Sequence, residues 1–80
     1  MINFINNLNS DSLISLARIY CNIIFTKEEI EPIMPFLKNI YFDYYSNPEK
    51  RKNYQDQLKN MTSEETYNKI YSILNKFNLT

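Results

Sequence analysis

From Ser10 onward the chain places apolar side chains at a helical interval. Leu13, Leu16, Ala17, Tyr20, Cys21 and Ile24 follow the spacing i, i+3, i+4, i+7, i+8 and i+11, the stripe of an amphipathic helix that turns one side to a core. Ser10-Asp11 supplies a start and Asn22, which tolerates a positive φ, a stop. A helix is therefore predicted over 11–21, with Ile23-Ile24-Phe25 as a buried connector behind it. A second stripe, Ile30, Ile33, Met34, Leu37, Ile40, Tyr41 and Tyr44, follows the capping box Thr26-Lys27-Glu28-Glu29. In such a box the Thr hydroxyl accepts from a first-turn amide and the Glu three residues on reaches back to the Thr amide.

Pro32 and Pro35 fall inside this second stripe. A proline within a helix removes an amide donor and clashes with the carbonyl four residues back. Because the stripe runs unbroken through both, one bent central helix over about 27–45 is expected. Asn47-Pro48 opens a further helix over 48–60, largely polar, with Tyr54, Leu58 and Met61 as its narrow apolar stripe. That element is expected to lie as an outer layer and to be the least stable. A second box, Thr62-Ser63-Glu64-Glu65, introduces a helix over 63–77 bearing Tyr67, Ile70, Tyr71, Leu74 and Phe77, with Ile73 beside them. Its acidic first turn and Lys76 near its end suit the helix dipole. Residues 2–8 read as a short arm that docks Ile2, Phe4, Ile5 and Leu8 on the rest. These elements predict one all-α domain over residues 1–80, a compact bundle of four sequential helices, or five with the arm. The central helix is bent at Pro32 and Pro35, and the core comes from helices 11–21, 27–45 and 63–77.

Composition narrows the chemistry more than it names it. Eighty residues give one small core, and 44% apolar content is enough for a globular fold. Nine basic and nine acidic side chains cancel, so no net field draws polyanions. The split is uneven: residues 1–49 hold three basic and six acidic groups, and residues 50–80 the reverse. A single cysteine, Cys21, on the apolar stripe of its helix, forms no internal disulfide and fits a reducing cytoplasm. No secretory leader and no membrane span is expected from the sequence. The Asn, Ile, Lys and Tyr bias suggests AT-rich coding, as in a low-GC bacterium or its phages.

With no histidine and no glycine, the usual base for a Ser or Cys nucleophile, a zinc ligand set and a phosphate-cradling loop are all missing. Glu28, Glu29 and Glu31 are the oxygen ligands a hard cation takes, yet capping already accounts for Glu29. No catalytic, metal or cofactor site is expected, and the chain is not expected to be an enzyme.

Two binding readings remain. Lys50, Arg51, Lys52 and Lys59 surround Tyr54 in a basic-aromatic cluster, the pattern of a small nucleic-acid-binding regulator. The pI of about 6.2 and the acidic opening Lys27-Glu28-Glu29-Ile30-Glu31 argue against it. The favoured reading is a non-catalytic protein–protein interaction or regulatory module, binding another protein or a second copy of itself. Ile40-Tyr41-Phe42-Asp43-Tyr44-Tyr45 puts aromatic residues around the whole end of the central helix. Tyr41 and Tyr44 continue the core stripe, leaving Phe42 and Tyr45 elsewhere. Either helix 48–60 folds back over them, or with Tyr54 they form an exposed anchor for a partner.

The order of motifs also resembles a known group. A Leu-rich helix ends in a tyrosine-containing turn (Leu13 to Asn22), and a Thr-Lys-Glu-Glu cap follows at 26–29. After a link come an acidic-basic helix (Glu49 to Lys59) and a Thr-Ser-Glu-Glu-Thr start at 62–66 with a Leu…Phe end. This pattern resembles the small uncharacterised YqfT-type helical proteins of Bacillus and relatives. The resemblance implies a helical fold over most of the chain and brings no assigned activity.

Overall fold

Asn9 sets the first helix. Its carboxamide oxygen accepts from the Ser12 amide at 2.8 Å, so the cap falls one residue before the predicted Ser10 and α1 runs Ser10–Cys21. The computed structural model describes residues 9–80; the predicted arm over 2–8 lies outside the described residues. Asn22 ends α1 in the left-handed region at φ 55°, and its amide and that of Ile23 return to the Arg18 and Ala17 carbonyls. The same device closes the last helix. Asn78 sits at φ 59°, donates to the Asn75 carbonyl and is followed by a Leu79 amide donating to Leu74 at 2.8 Å. That is a Schellman arrangement with Asn where Gly is usual. Among the described residues this glycine-free chain makes both left-handed stops with asparagine.

The central element is bent, as its two prolines predict. Helix α2 (Lys27–Ile30) tightens into a 3-10 turn over Glu31–Ile33, and α3 follows over Met34–Ser46. Each proline occupies the first or second position of a helical segment, where an amide has no intrahelical acceptor to lose. The stripe survives because the backbone stays right-handed throughout. Ile30 and Ile33 are fully buried and Met34 nearly so.

Pro48–Lys50 forms a second 3-10 turn leading into α4 (Arg51–Met61). α5 follows over Glu64–Lys76. Its cap is Ser63, whose hydroxyl accepts from the Thr66 amide at 3.1 Å, one residue later than the Thr62 box predicts. Thr62 instead donates its hydroxyl to the Leu58 carbonyl and finishes α4. The shift turns Thr66 inward, where it is 3% exposed, and leaves Glu65 in solvent.

The central cluster is Ala17, Phe25, Ile30, Ile33, Met34 and Leu58, with Leu13, Ile14 and Ile70 among those packed against it. Leu58 corrects the outer-layer expectation for α4, which contributes a core residue of its own. Three further expectations fail for one reason, the limited surface that so small a bundle can cover. Ile24 is 68% exposed rather than buried in the connector, Tyr20 points outward, and Cys21 is only half-buried. On α5, Tyr71 and Phe77 stay exposed, and Tyr67, Ile70 and Ile73 pack against the core. The Cα radius of gyration, 11.8 Å, is close to the ~12 Å expected of a folded chain this long.

Candidate functional site

Four aromatic positions in five residues, Tyr41, Phe42, Tyr44 and Tyr45, sort by the helical turn into two sides of α3. Tyr44 is buried and Tyr41 half-buried, while Phe42 and Tyr45 are 73% and 60% exposed. One turn apart, the outer two form a step on the helix surface.

The end of α3 beneath that step is held from α4. Arg51 donates from Nε to the Tyr44 carbonyl at 2.9 Å and from a terminal nitrogen to the Tyr45 carbonyl at 3.1 Å. Its guanidinium carbon lies 5.5 Å from the Tyr44 ring centroid. A cation therefore satisfies the carbonyls that a helix C-terminus leaves open. The Tyr44 hydroxyl donates to the Leu79 carbonyl and accepts from Gln55 Nε2 at 3.0 Å. Asp43 accepts from the Tyr54 hydroxyl and the Asn47 amide nitrogen, with Lys50 Nζ 3.4 Å away. The Tyr54 bond first, then Asn47 and Lys50, outweigh the opposing effect of burial and hold the Asp43 carboxyl below its ordinary range. The same bond, with burial behind it, pushes the Tyr54 hydroxyl up. Its ring meets Phe36 edge-on and Tyr44 at a tilt, each with centroids 6.4 Å apart.

The three predicted aromatic anchors thus separate. Phe42 and Tyr45 stand out in solvent; Tyr54 is half-buried and serves as a strut that fixes α4 on α3. α4 does fold back, but onto Tyr44 and Phe36 rather than over the outer pair. The basic set is dispersed in a similar way. Lys50 pairs with Asp43, Arg51 clamps α3, and Lys59 Nζ sits 5.9 Å from the Tyr67 ring centroid. Lys52 points to solvent.

The sequence pattern does not reveal an apolar groove of about 330 Å³ lined from all five helices, α1 to α5. Leu13, Leu37, Tyr41, Ile73 and Leu74 are among its walls, and Tyr45 and Lys38 stand at it too. Among the described residues no group of three metal-ligating side chains gathers, and no helix is long and apolar enough to cross a membrane.

On the opposite flank, Glu29 joins α2 to α5. It closes the predicted capping box with the Thr26 amide at 2.8 Å, accepts from the Thr66 hydroxyl at 2.6 Å, and bonds Lys69 Nζ at 3.0 Å through both oxygens. The Thr66 hydroxyl above all, then the Thr26 amide, and Lys69 after them lower its carboxyl from 4.5 to about 2, against the contrary pull of burial. With its donors all supplied by the protein, this carboxylate is a structural tie. The open cleft of about 250 Å³ beside it holds no unsatisfied buried polar atom.

Fold and surface together define a small all-α bundle that carries an exposed aromatic step on a braced helix end. The family model described as Protein of unknown function (DUF2624) matches residues 1–78, and the chain belongs to that family. No curated protein and no solved structure matches it.

Proposed function

We propose that this protein is a non-catalytic interaction or regulatory module that binds another protein, or a second copy of itself, through Phe42 and Tyr45. The observation that carries the reading is their exposure on a helix end already fixed by Arg51 and Asp43. Large aromatic side chains supply most binding energy when they enter a partner's pocket, and a rigid support removes the ordering cost of association. Tyr54 acts in support of the pair instead of touching the partner. The dispersal of Lys50, Arg51 and Lys59 among intramolecular contacts weighs against the nucleic-acid reading.

We also infer kinship with the YqfT-type proteins of Bacillus and relatives, on the motif order described above, and a cytoplasmic setting, on the single unpaired cysteine. The test compares capture of partners by the tagged chain with capture by Phe42→Ala/Tyr45→Ala, each with and without nuclease. A stoichiometric protein that survives nuclease and is lost with the double variant supports the reading. A protein retained equally by both removes the aromatic step from it, and retention of nucleic acid that depends on Lys52 overturns it.

A further inference from the structure

Four helix ends gather at one pole of the bundle. Lys76 Nζ, at the end of α5, donates to the Tyr20 carbonyl near the end of α1 at 2.7 Å. The Tyr44 hydroxyl, near the end of α3, donates to the Leu79 carbonyl just beyond α5. Arg51, the first residue of α4, bonds the Tyr44 and Tyr45 carbonyls. The other pole holds the start of α5, where Thr66 and Lys69 bind Glu29 of α2 and where Glu28, Met61 and Ser63 share one cleft.

The two poles differ in charge and in surface. Arg18, Lys50, Arg51, Lys52 and Lys76 lie at the first, against Asp43 and Glu49. Glu28, Glu29, Glu31, Glu64 and Glu65 lie at the second, against Lys27 and Lys69. A chain of zero net charge is thus polarised end to end. The basic pole also carries Ile19, Tyr20 and Ile24, 66%, 62% and 68% exposed, and Phe77, 51% exposed. None of these four lines the groove or the cleft described above.

We propose that the basic pole docks on an anionic lipid surface. Ile19, Tyr20, Ile24 and Phe77 enter the headgroup layer, and the exposed Arg18, Lys52 and Lys76 meet lipid charges. Apolar side chains that stand outside any cavity need only a fluid apolar layer, and tyrosine keeps its hydroxyl in water there. Segments 12–27 and 66–80, which supply all four apolar residues, contain no acidic side chain. Docking by this pole also turns the acidic pole away from the negative leaflet, which fixes the orientation.

The test is flotation of the full chain with phosphatidylserine–phosphatidylcholine vesicles and with phosphatidylcholine alone. Binding to the anionic vesicles only is expected. It should weaken as salt rises from about 0.1 to 1 M and the Debye length falls from ~10 to ~3 Å. Each basic group near such a surface is worth about fivefold in partitioning, so Arg18→Gln/Lys52→Gln should lose at least ~10-fold. Ile19→Ser/Phe77→Ser should lose a similar factor with its far-ultraviolet circular dichroism retained. Glu64→Gln/Glu65→Gln, at the acidic pole, should bind no less tightly. No flotation, equal flotation with both vesicles, or undiminished binding by either folded basic-pole variant overturns the proposal. Binding of polyglutamate in place of vesicles would assign the pole to an acidic protein and overturn it too. The inference does not rest on the interaction reading, which Phe42→Ala/Tyr45→Ala tests separately.

Discussion

The Thr66 hydroxyl donates to the Glu29 carboxylate at 2.6 Å across 37 residues of sequence. Thr66 itself accepts from Ser63 at 3.1 Å, so one chain of hydrogen bonds joins the cap of α5 to the capping box of α2. Removing a single partner from a partly buried, charge-assisted bond costs about 1–3 kcal/mol. Thr66→Val should therefore lower the thermal midpoint by roughly 4–8 °C per kcal/mol lost, read by circular dichroism. A midpoint within a degree of wild type would show that the tie contributes nothing.

The same tie sets an acid limit. Glu29 is lowered in the folded state from 4.5 to about 2. Its contribution is present in full above the ordinary value and is lost as pH falls through the folded one. Linkage puts that contribution at roughly 1–3 kcal/mol once solvent screening is allowed for. Denaturant titrations should show wild-type stability falling between pH 4.5 and 2, with a shallower fall in Glu29→Gln, which starts lower at neutral pH. Parallel curves would contradict the assignment.

Tyr54 and Asp43 make a testable pair of titrations. Tyr54→Phe removes the chief influence that holds the Asp43 carboxyl down. That carboxyl should then titrate nearer its ordinary 3.8, followed by the carboxyl carbon shift in nuclear magnetic resonance. In the wild type the Tyr54 hydroxyl should ionise later than free tyrosine. An unmoved Asp43 titration would separate the two groups.

Leu58 and Met61 lie on the same predicted stripe, yet Leu58 is buried and Met61 exposed. Leu58→Ala opens a cavity in the central cluster and should cost about 2–5 kcal/mol. Met61→Ala should stay within ~0.5 kcal/mol, as exposed substitutions do. Equal losses in chemical denaturation would return α4 to the outer layer.

Asn78 and Asn22 occupy left-handed backbone at φ 59° and 55°, so Gly should be tolerated at either and Ala should not. A left-handed Ala costs about 1–2 kcal/mol. Asn78→Ala should lower the denaturation midpoint and Asn78→Gly should hold or raise it. The reverse order would rule out the Schellman closure of α5.

Much of the architecture was legible in the residues. Helical spacing, the Thr26 box, Asn22 and the two prolines lead to the observed elements within a residue or two, because each acts over one turn of chain. The misplacements occur where distant groups decide. Ser63 displaced Thr62 as a cap once Thr66 had a partner 37 residues away in Glu29. Tyr54 resembles Phe42 and Tyr45 in sequence, and only its hydrogen bond to Asp43 and its packing on Phe36 and Tyr44 set it apart. Sequence spacing also cannot show that Lys50, Arg51 and Lys59 of the basic set engage Asp43, two α3 carbonyls and the Tyr67 ring, while Lys52 faces solvent. The groove was invisible because it is a relation among five helices.

The central claim is that Phe42 and Tyr45 form the docking surface and Tyr54 does not. The most direct measurement is calorimetric titration of the captured partner, or of the chain itself by sedimentation if it self-associates. Wild type, Phe42→Ala/Tyr45→Ala and Tyr54→Phe are compared after circular dichroism has shown each folded. Loss of at least ~2 kcal/mol of binding in the double variant, hot-spot magnitude, with Tyr54→Phe near wild type, is the predicted result. Undiminished binding by the folded double variant would contradict the account.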